Sequence, residues 1–345
     1  MHDDYLWDRS GEPDSEIARL ERTLSEFRHR GAPPSSASVE RAVRTQRSSA
    51  GARRYPVAAG LIAASLIAAI ATLLVGVRHS GGAWHVAVLD GRPTVDRIAV
   101  DRRGTLSVGQ WLVTDASSRA MIDVGDIGSV EVSPNSRVRL VSARPTDNRI
   151  ELQRGLVRAM IFAPPRRFAV ESPSAVAVDL GCVYTLKVEE DGAGLLHVES
   201  GWVAFAQGGR ESFVPADASA ETRPHFGPGT PYFDDADPRL RGELSRLDFG
   251  PVSAAQRAAA LDAVLETARP RDGITLWHLL SRVSPEERGR VFDRLATLVP
   301  PGDGVTREGI LGGNRDMLEA WWDELGLEPL SWWREWERPW PGTKK

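Results

Sequence analysis

Residues 56–77 read PVAAGLIAASLIAAIATLLVGV, a run of 22 residues without one charged side chain. As a helix rising roughly 1.5 Å per residue, the run would be about 33 Å long. The hydrocarbon core of a bilayer is about 30 Å thick, so the segment spans it with little tilt. A helix buried in a soluble core is the competing reading. Such a helix usually keeps a polar stripe, and only Ser65, Thr72 and small residues interrupt this one. Pro56 to Val77 is therefore expected to be a transmembrane helix. Too long a stretch precedes it for a cleaved signal peptide with a short basic start.

The flanks orient the span. Arg41, Arg44, Arg47, Arg53 and Arg54 lie just before it, whereas only Arg78 follows closely and the next basic side chain after His79 and His85 is Arg92. Basic residues stay on the cytoplasmic side, so the N-terminus is expected in the cytoplasm and everything beyond Arg78 outside. Tyr55 and Trp84 suit the two interfaces. The expected location is the inner, cytoplasmic membrane, crossed once.

Composition sets wider bounds. The chain has 345 residues, 43 Lys+Arg against 47 Asp+Glu and a net charge of −4, which gives no reason to expect nucleic acid as a partner. Charged residues at 26% and hydrophobic ones at 41% exclude wholesale disorder. A single cysteine, Cys182, excludes a disulfide framework within the chain and any multi-cysteine metal centre. The seven histidines are scattered, with no pair at metal-ligand spacing. No metal and no cofactor are expected.

Ahead of the span, residues 1–34 carry a helix signal. Pro13, Asp14 and Ser15 mark its start, and Ile17, Leu20, Leu24 and Phe27 follow on one face. Arg19, Glu21, Arg22, Glu26 and Arg28 take the other faces, and Tyr5, Leu6 and Trp7 form an aromatic cluster upstream. A helix this short is marginal in water and has nothing in its own segment to cover the stripe. The stripe, with Trp7, is read as a surface that folds into a groove on a partner protein; a helix lying on the membrane or a frayed tail is the alternative. Residues 35–55, rich in Ser, Ala and Arg, are expected to be a basic flexible linker.

After Gly81-Gly82 the texture changes. Short β-branched runs recur between glycines and prolines, including Leu106–Val113, Arg137–Val141, Arg149–Leu152, Leu156–Phe162, Val183–Val188 and Trp202–Ala206. Val138-Arg139-Leu140-Val141 and Thr185-Leu186-Lys187-Val188 alternate clearly. Residues 83–223 are expected to form an all-β sandwich or roll, with Gly155, Gly181 and Gly201 at strand-to-strand turns.

From about residue 104 to 215 this region resembles the FecR domain, the periplasmic part of membrane-bound sigma-factor regulators. Trp111-Leu112-Val113-Thr114 and Gly128-Ser129-Val130-Glu131-Val132 look like its first hairpins. Leu152-Gln153-Arg154-Gly155-Leu156-Val157, Phe168-Ala169-Val170-Glu171-Ser172-Pro173 and Val176-Ala177-Val178-Asp179-Leu180-Gly181-Cys182-Val183-Tyr184 resemble its later strands, and Val198-Glu199-Ser200-Gly201-Trp202-Val203 its last turn. Cys182 and Tyr184 stand where the family usually has Thr and Phe; both are read as structural, with Cys182 a small buried hydrophobe. The resemblance implies a transmembrane anti-sigma factor and sensor. Its inner segment would bind an extracytoplasmic-function sigma factor through Trp7, Ile17, Leu20, Leu24 and Phe27. Its exported domain would sense an envelope signal, with an envelope or outer-membrane protein as a second partner.

Pro224 to Pro231 punctuate residues 224–237, read as a linker, and residues 238–345 turn helical and Trp-rich. Ala254–Ala268 carries Leu261, Val264 and Leu265 on one face. Ser284-Pro285-Glu286-Glu287 is a capping box with proline at the first helical position. Asn314–Leu325 is a further helix, and Trp332, Trp333, Trp336 and Trp340 crowd the tail. Core packing is the expected role of these tryptophans, with an interaction surface as the rival.

No phosphate loop, metalloprotease helix, nucleophile elbow or paired-cysteine motif is present. Asp248-Phe249-Gly250 spells a kinase triplet without any accompanying kinase element, and is read as chance. Glu189-Glu190-Asp191 and Asp234-Asp235 are read as solvated charge. The chain is thus expected not to be an enzyme but a multi-domain membrane protein: a short cytoplasmic helix, one transmembrane helix, an exported all-β domain and a C-terminal α-helical region. A non-enzymatic envelope structural or binding module, anchored by the span, is the alternative.

Overall fold

The structure is a computed structural model that describes residues 82–250 and 253–327. The chain divides into two units, Met1–Leu73 and Leu74–Lys345, and every described residue belongs to the second. The span Pro56 to Val77 lies outside the described residues. Among those described, no helix is long and apolar enough to cross a membrane.

From Ala83 to Phe233 the chain passes back and forth between two sheets. β1 (Ala83–Asp90) lies in the first sheet, and β2 (Thr94–Val95) and β3 (Ile98–Ala99) form a small hairpin in the second. β4 (Arg103–Ser107) returns to β1, and β5 (Trp111–Val113) crosses to β2. β6 (Arg119–Asp123) and β7 (Gly128–Val132) form a hairpin of the first sheet, and β8 (Arg137–Arg144) joins the second. β9 (Asp147–Ile161) belongs to both. Hairpins then alternate. β10 (Phe168–Glu171) and β11 (Val176–Asp179) lie in the second sheet, β12 (Val183–Val188) and β13 (Gly194–Ser200) in the first. β14 (Trp202–Gln207) and β15 (Arg210–Pro215) return to the second, and β16 (Ala218–Arg223) closes the first.

The first sheet therefore runs β4-β1-β6-β7-β9-β12-β13-β16, with every neighbour antiparallel. The second runs β3-β2-β5-β8-β9-β10-β11-β14-β15 and is antiparallel except where β10 lies parallel to β9. Alternation explains why both sheets hold. In β8, Val138, Leu140 and Ser142 are buried while Arg137 and Arg139 face outward; in β12, Tyr184, Leu186 and Val188 are buried while Lys187 is exposed. The inward rows of the two sheets make one continuous apolar core. Each large apolar side chain so buried contributes about 1.5–3 kcal/mol.

Gly155 departs from the sequence reading. The pattern suggested two strands, Arg149–Leu152 and Leu156–Phe162, with a turn at Gly155; β9 is instead one strand of 15 residues. Gly155 sits where that strand leaves the second sheet for the first, with φ +97°, and a Cβ there would overlap Ser136. The Ser136 hydroxyl accepts the Leu156 N–H at 2.9 Å, satisfying a donor that the kink takes out of the ladder. Gly181 and Gly201 do stand at sheet-to-sheet corners, with φ +88° and +74°.

Residues 224–237, read as a linker from their Pro and Gly, contain two further strands, β17 (Gly227–Pro228) and β18 (Tyr232–Phe233), both paired with β16. Gly227 through Pro231 are buried. Asp235 bridges Arg269 and Arg271, so this acid is tied down rather than merely solvated. Among the described residues six α-helices follow: α1 (Pro238–Phe249), α2 (Ala254–Thr267), α3 (Gly273–Leu280), α4 (Pro285–Leu298), α5 (Arg307–Leu311) and α6 (Arg315–Asp323). The expected capping box is formed, with Ser284 and Glu287 exchanging hydrogen bonds across the first turn and Pro285 at its first position. Leu261, Val264 and Leu265 are buried on α2, as their spacing required. α3 gave no amphipathic signal because all eight of its residues are buried. Helices and sheets share one apolar core.

Candidate functional site

Trp7, Ile17, Leu20, Leu24 and Phe27 lie outside the described residues, as do Trp332, Trp333, Trp336 and Trp340. Among the described residues no cluster of His, Cys, Asp and Glu is placed to hold a metal ion. Two polar constellations are built into the second unit, one at a joint between sheet and helices and one at a corner of the sandwich.

The joint forms on β15, which ends the second sheet and pairs there with β14. An uncovered edge strand offers backbone donors and acceptors to any passing strand. Here side chains from the helices take them. The Phe213 N–H donates to His278 Nε2 at 3.0 Å, and the Glu211 carbonyl accepts from Arg282 at 2.7 Å. His278 Nδ1 lies 2.9 Å from the Ile274 carbonyl, so Nδ1 carries the proton and Nε2 accepts. Burial, with the nearby Arg282 charge, holds this imidazole well below its ordinary pKa and keeps it neutral.

Arg282 is 8% exposed at its side chain, and burial lowers its pKa to about 10 against the opposing pull of Asp248. It donates to Thr230 Oγ1 at 2.9 Å and Ser212 Oγ at 2.8 Å, and stands 4.0 Å from Asp248. Asp248 also accepts the Thr230 N–H at 2.6 Å and pairs with Arg210. The triplet dismissed as chance thus carries no kinase chemistry, yet its aspartate anchors α1 to the β14–β15 hairpin. Above this ionic layer Trp322 packs on Trp202, Phe213 and Trp277, with ring centroids 5.8, 5.9 and 4.9 Å away. Trp321 packs on Phe292 at 4.9 Å. Trp321 and Trp322 are fully buried; the expectation of core packing concerned Trp332, Trp333, Trp336 and Trp340, which lie outside the described residues. An open cleft of about 380 Å³ flanks the joint, lined by Glu211, Phe213, Trp277, Arg288, Arg315 and Leu318 among others.

The corner lies where β11 gives way to β12. Asp179 is 1% exposed; its carboxyl accepts the Gly181 N–H at 2.8 Å and lies 2.7 Å from the Cys182 sulfur. Burial lifts its pKa from 3.8 to about 7. The Cys182 thiol is pushed far above its ordinary range by burial and by Asp179, so it is not a reactive thiolate. Its burial agrees with the reading of a small core residue. The Tyr184 hydroxyl is buried beside them without a hydrogen-bond partner among the described residues. Gly201 closes the corner, since a Cβ there would overlap the Gly181 carbonyl.

The comparisons with known proteins fall on this sandwich. Residues 110–204 match the family model described as FecR protein, so the likeness to a FecR domain is confined to that stretch of the sandwich. No curated protein matches the chain. Two crystal structures of a candidate anti-sigma factor from Parabacteroides distasonis align at 14% identity with a TM-score of 0.32. One alignment covers 39% of this chain and 64% of that one, less than two thirds of it; the other covers 45% and 73%. Likenesses of that size add nothing to the domain match.

Proposed function

We propose that the chain is a single-pass regulator of transcription. Residues 1–54 hold an extracytoplasmic-function sigma factor in the cytoplasm, residues 56–77 cross the inner membrane, and the sandwich with its helices reads a signal outside. The observation that carries this reading is the FecR match at residues 110–204, downstream of a charge-free run and an amphipathic stripe. The arginines before the span support an N-terminus inside. In the sequestered state the stripe Ile17, Leu20, Leu24 and Phe27, with Trp7, covers the polymerase-binding surface of the sigma factor; a signal or proteolysis outside releases it. The histidine and cysteine pattern of zinc anti-sigma proteins is absent from residues 1–54, so the binding is zinc-free. The Trp-rich helical C-terminus gives no reason to make iron the signal.

The test is a pull-down of residues 1–54 against a sigma factor encoded beside the gene. Buried apolar side chains at an interface are worth about 1.5–3 kcal/mol each. Leu20→Asp with Leu24→Asp should therefore weaken binding by several kcal/mol, because it also buries unpaired charge. Charge changes at Arg22 or Glu26 should cost only about 0.5–1 kcal/mol. Absence of wild-type binding, or equal loss from both classes, overturns the reading and moves the envelope-module alternative ahead.

A further inference from the structure

The outer face of the second sheet carries a cationic cleft that neither the joint nor the corner uses. It starts at the tip of the β2–β3 hairpin, where Asp96 and Arg97 both have left-handed backbones, with φ 47° and 71°. Two consecutive non-glycine residues in that region are uncommon and store strain. Asp96 is fastened down: its N–H donates to the Trp111 carbonyl at 3.0 Å, and its carboxylate accepts the Trp111 N–H at 3.0 Å. Arg97 is thereby held over the sheet. Below it a cleft of about 460 Å³ is lined by Thr94, Trp111, Val113, Arg137 and Arg154.

Three guanidinium groups, Arg97, Arg137 and Arg154, line this space against one carboxylate, that of Asp96, which already accepts the Trp111 N–H. Arg137 and Arg154 are direct cross-strand partners in the β8–β9 register, beside a bulge at Arg137–Val138. Like charges directly opposite each other on a sheet are destabilising. Arg137 stacks over the Trp111 ring at 4.2 Å, and its Nε is buried without a hydrogen-bond partner. Neither Arg137 nor Arg97 has a carboxylate partner among the described residues. Among the described residues Arg154 has one carboxylate partner, Glu190, 3.6 Å away and itself 88% exposed. Arg139, the neighbour on the same face, is by contrast paired with Glu151. A strained turn, a like-charge pair in register and an unsatisfied buried donor all tax the fold at one point, and an oxyanion between the arginines would relieve the last two.

We propose that Arg97, Arg137 and Arg154, with Trp111 as their platform, form a binding site for a phosphate or carboxylate group. Guanidinium forks match the paired oxygens of such groups. The indole holds Arg137 in place by stacking, so that its free edge faces the incoming anion. The site stands on the geometry of the sandwich and is independent of the sigma-factor reading. A small anion and a polymer bearing phosphate or carboxylate groups offer the same chemistry.

The full chain is titrated at low ionic strength with inorganic phosphate, acetate and a long polyphosphate, with binding read by calorimetry and by the shift in melting temperature. Saturable binding of phosphate or acetate is expected, weakened at least about tenfold by Arg137→Gln and by Arg97→Asn, which tolerates the left-handed turn. Arg119→Gln, on the first sheet and paired with Glu131 and Asp90, should leave binding unchanged. Without any anion, Arg137→Gln should keep or raise the melting temperature, because it removes a repulsion, whereas an arginine of purely structural role would lower it. Tighter binding of polyphosphate than of phosphate identifies a polymer as the source, and equal affinity per phosphate a free ion; both support the site. No saturation by any of the three probes, equal binding by the arginine variants, or a melting temperature that falls in Arg137→Gln overturns it.

Discussion

Asp179 and Asp248 are both buried carboxyl groups, and the protein keeps them by opposite means. At the corner, Asp179 has a backbone N–H and a thiol beside it, and burial raises its pKa to about 7. At the joint, Asp248 has Arg210, Arg282 and both donors of Thr230 around it. A buried acid without a cation escapes its desolvation by holding a proton, and one with cations escapes it by pairing. The corner is thus a local device that closes a turn within one stretch of chain. The joint is a long-range clamp, binding helices to a sheet edge through residues far apart in sequence.

The largest effect should come from breaking the clamp. Asp248→Ala leaves Arg282 buried without its carboxylate, and removing one partner of a buried pair costs about 3–5 kcal/mol. Thermal unfolding measures it; a loss below about 1 kcal/mol, as for an exposed pair, would erase the contrast with the corner. A smaller, pH-dependent effect belongs to Asp179. Its folded pKa of about 7 lies above the ordinary 3.8, so the folded chain retains a proton that the unfolded chain releases between those values. Its contribution is therefore fully present below about pH 4 and is lost as pH rises through about 7, by a few kcal/mol in all. Asp179→Asn should flatten that decline in urea unfolding measured from pH 4 to 8; an unchanged slope would place the titration elsewhere. Cys182→Ser should do least, within about 1–2 kcal/mol at the melting transition, since a hydroxyl keeps the donor toward Asp179 while losing some packing. A greater loss would mean that the sulfur, rather than the carboxyl, organises the corner.

The same contrast shows what was legible in the sequence. The sandwich could be read because alternation in β8 and β12 states which side chains face inward, and Gly181 and Gly201 mark corners within a few residues of the strands they join. Ser284 announced α4 because a capping box is local. The joint could not be read. Arg210, Thr230, Asp248 and Arg282 come together only in the folded chain, and α3, buried on all sides, shows no periodic stripe. The linker reading of residues 224–237 rested on proline and glycine, which also suit the short edge strands found there. Asp96 and Arg97 carried no turn signal of the usual Asn-Gly or Gly type, so nothing in composition announced the cleft they overhang.

β9 has a bearing on how this molecule comes into being. Because Asp147–Ile161 hydrogen-bonds β8 and β10 on one side of its kink and β7 and β12 on the other, neither ladder is complete until this strand is seated. Its placement joins pairings of both sheets, and the expectation that follows is a transition state containing β9, to be read as high φ-values for substitutions along it. Substitutions along β9 then act on the rate of folding, and those in peripheral hairpins such as β2–β3 on the rate of unfolding. A chain in which β9 is not yet seated has neither of its two sheets complete.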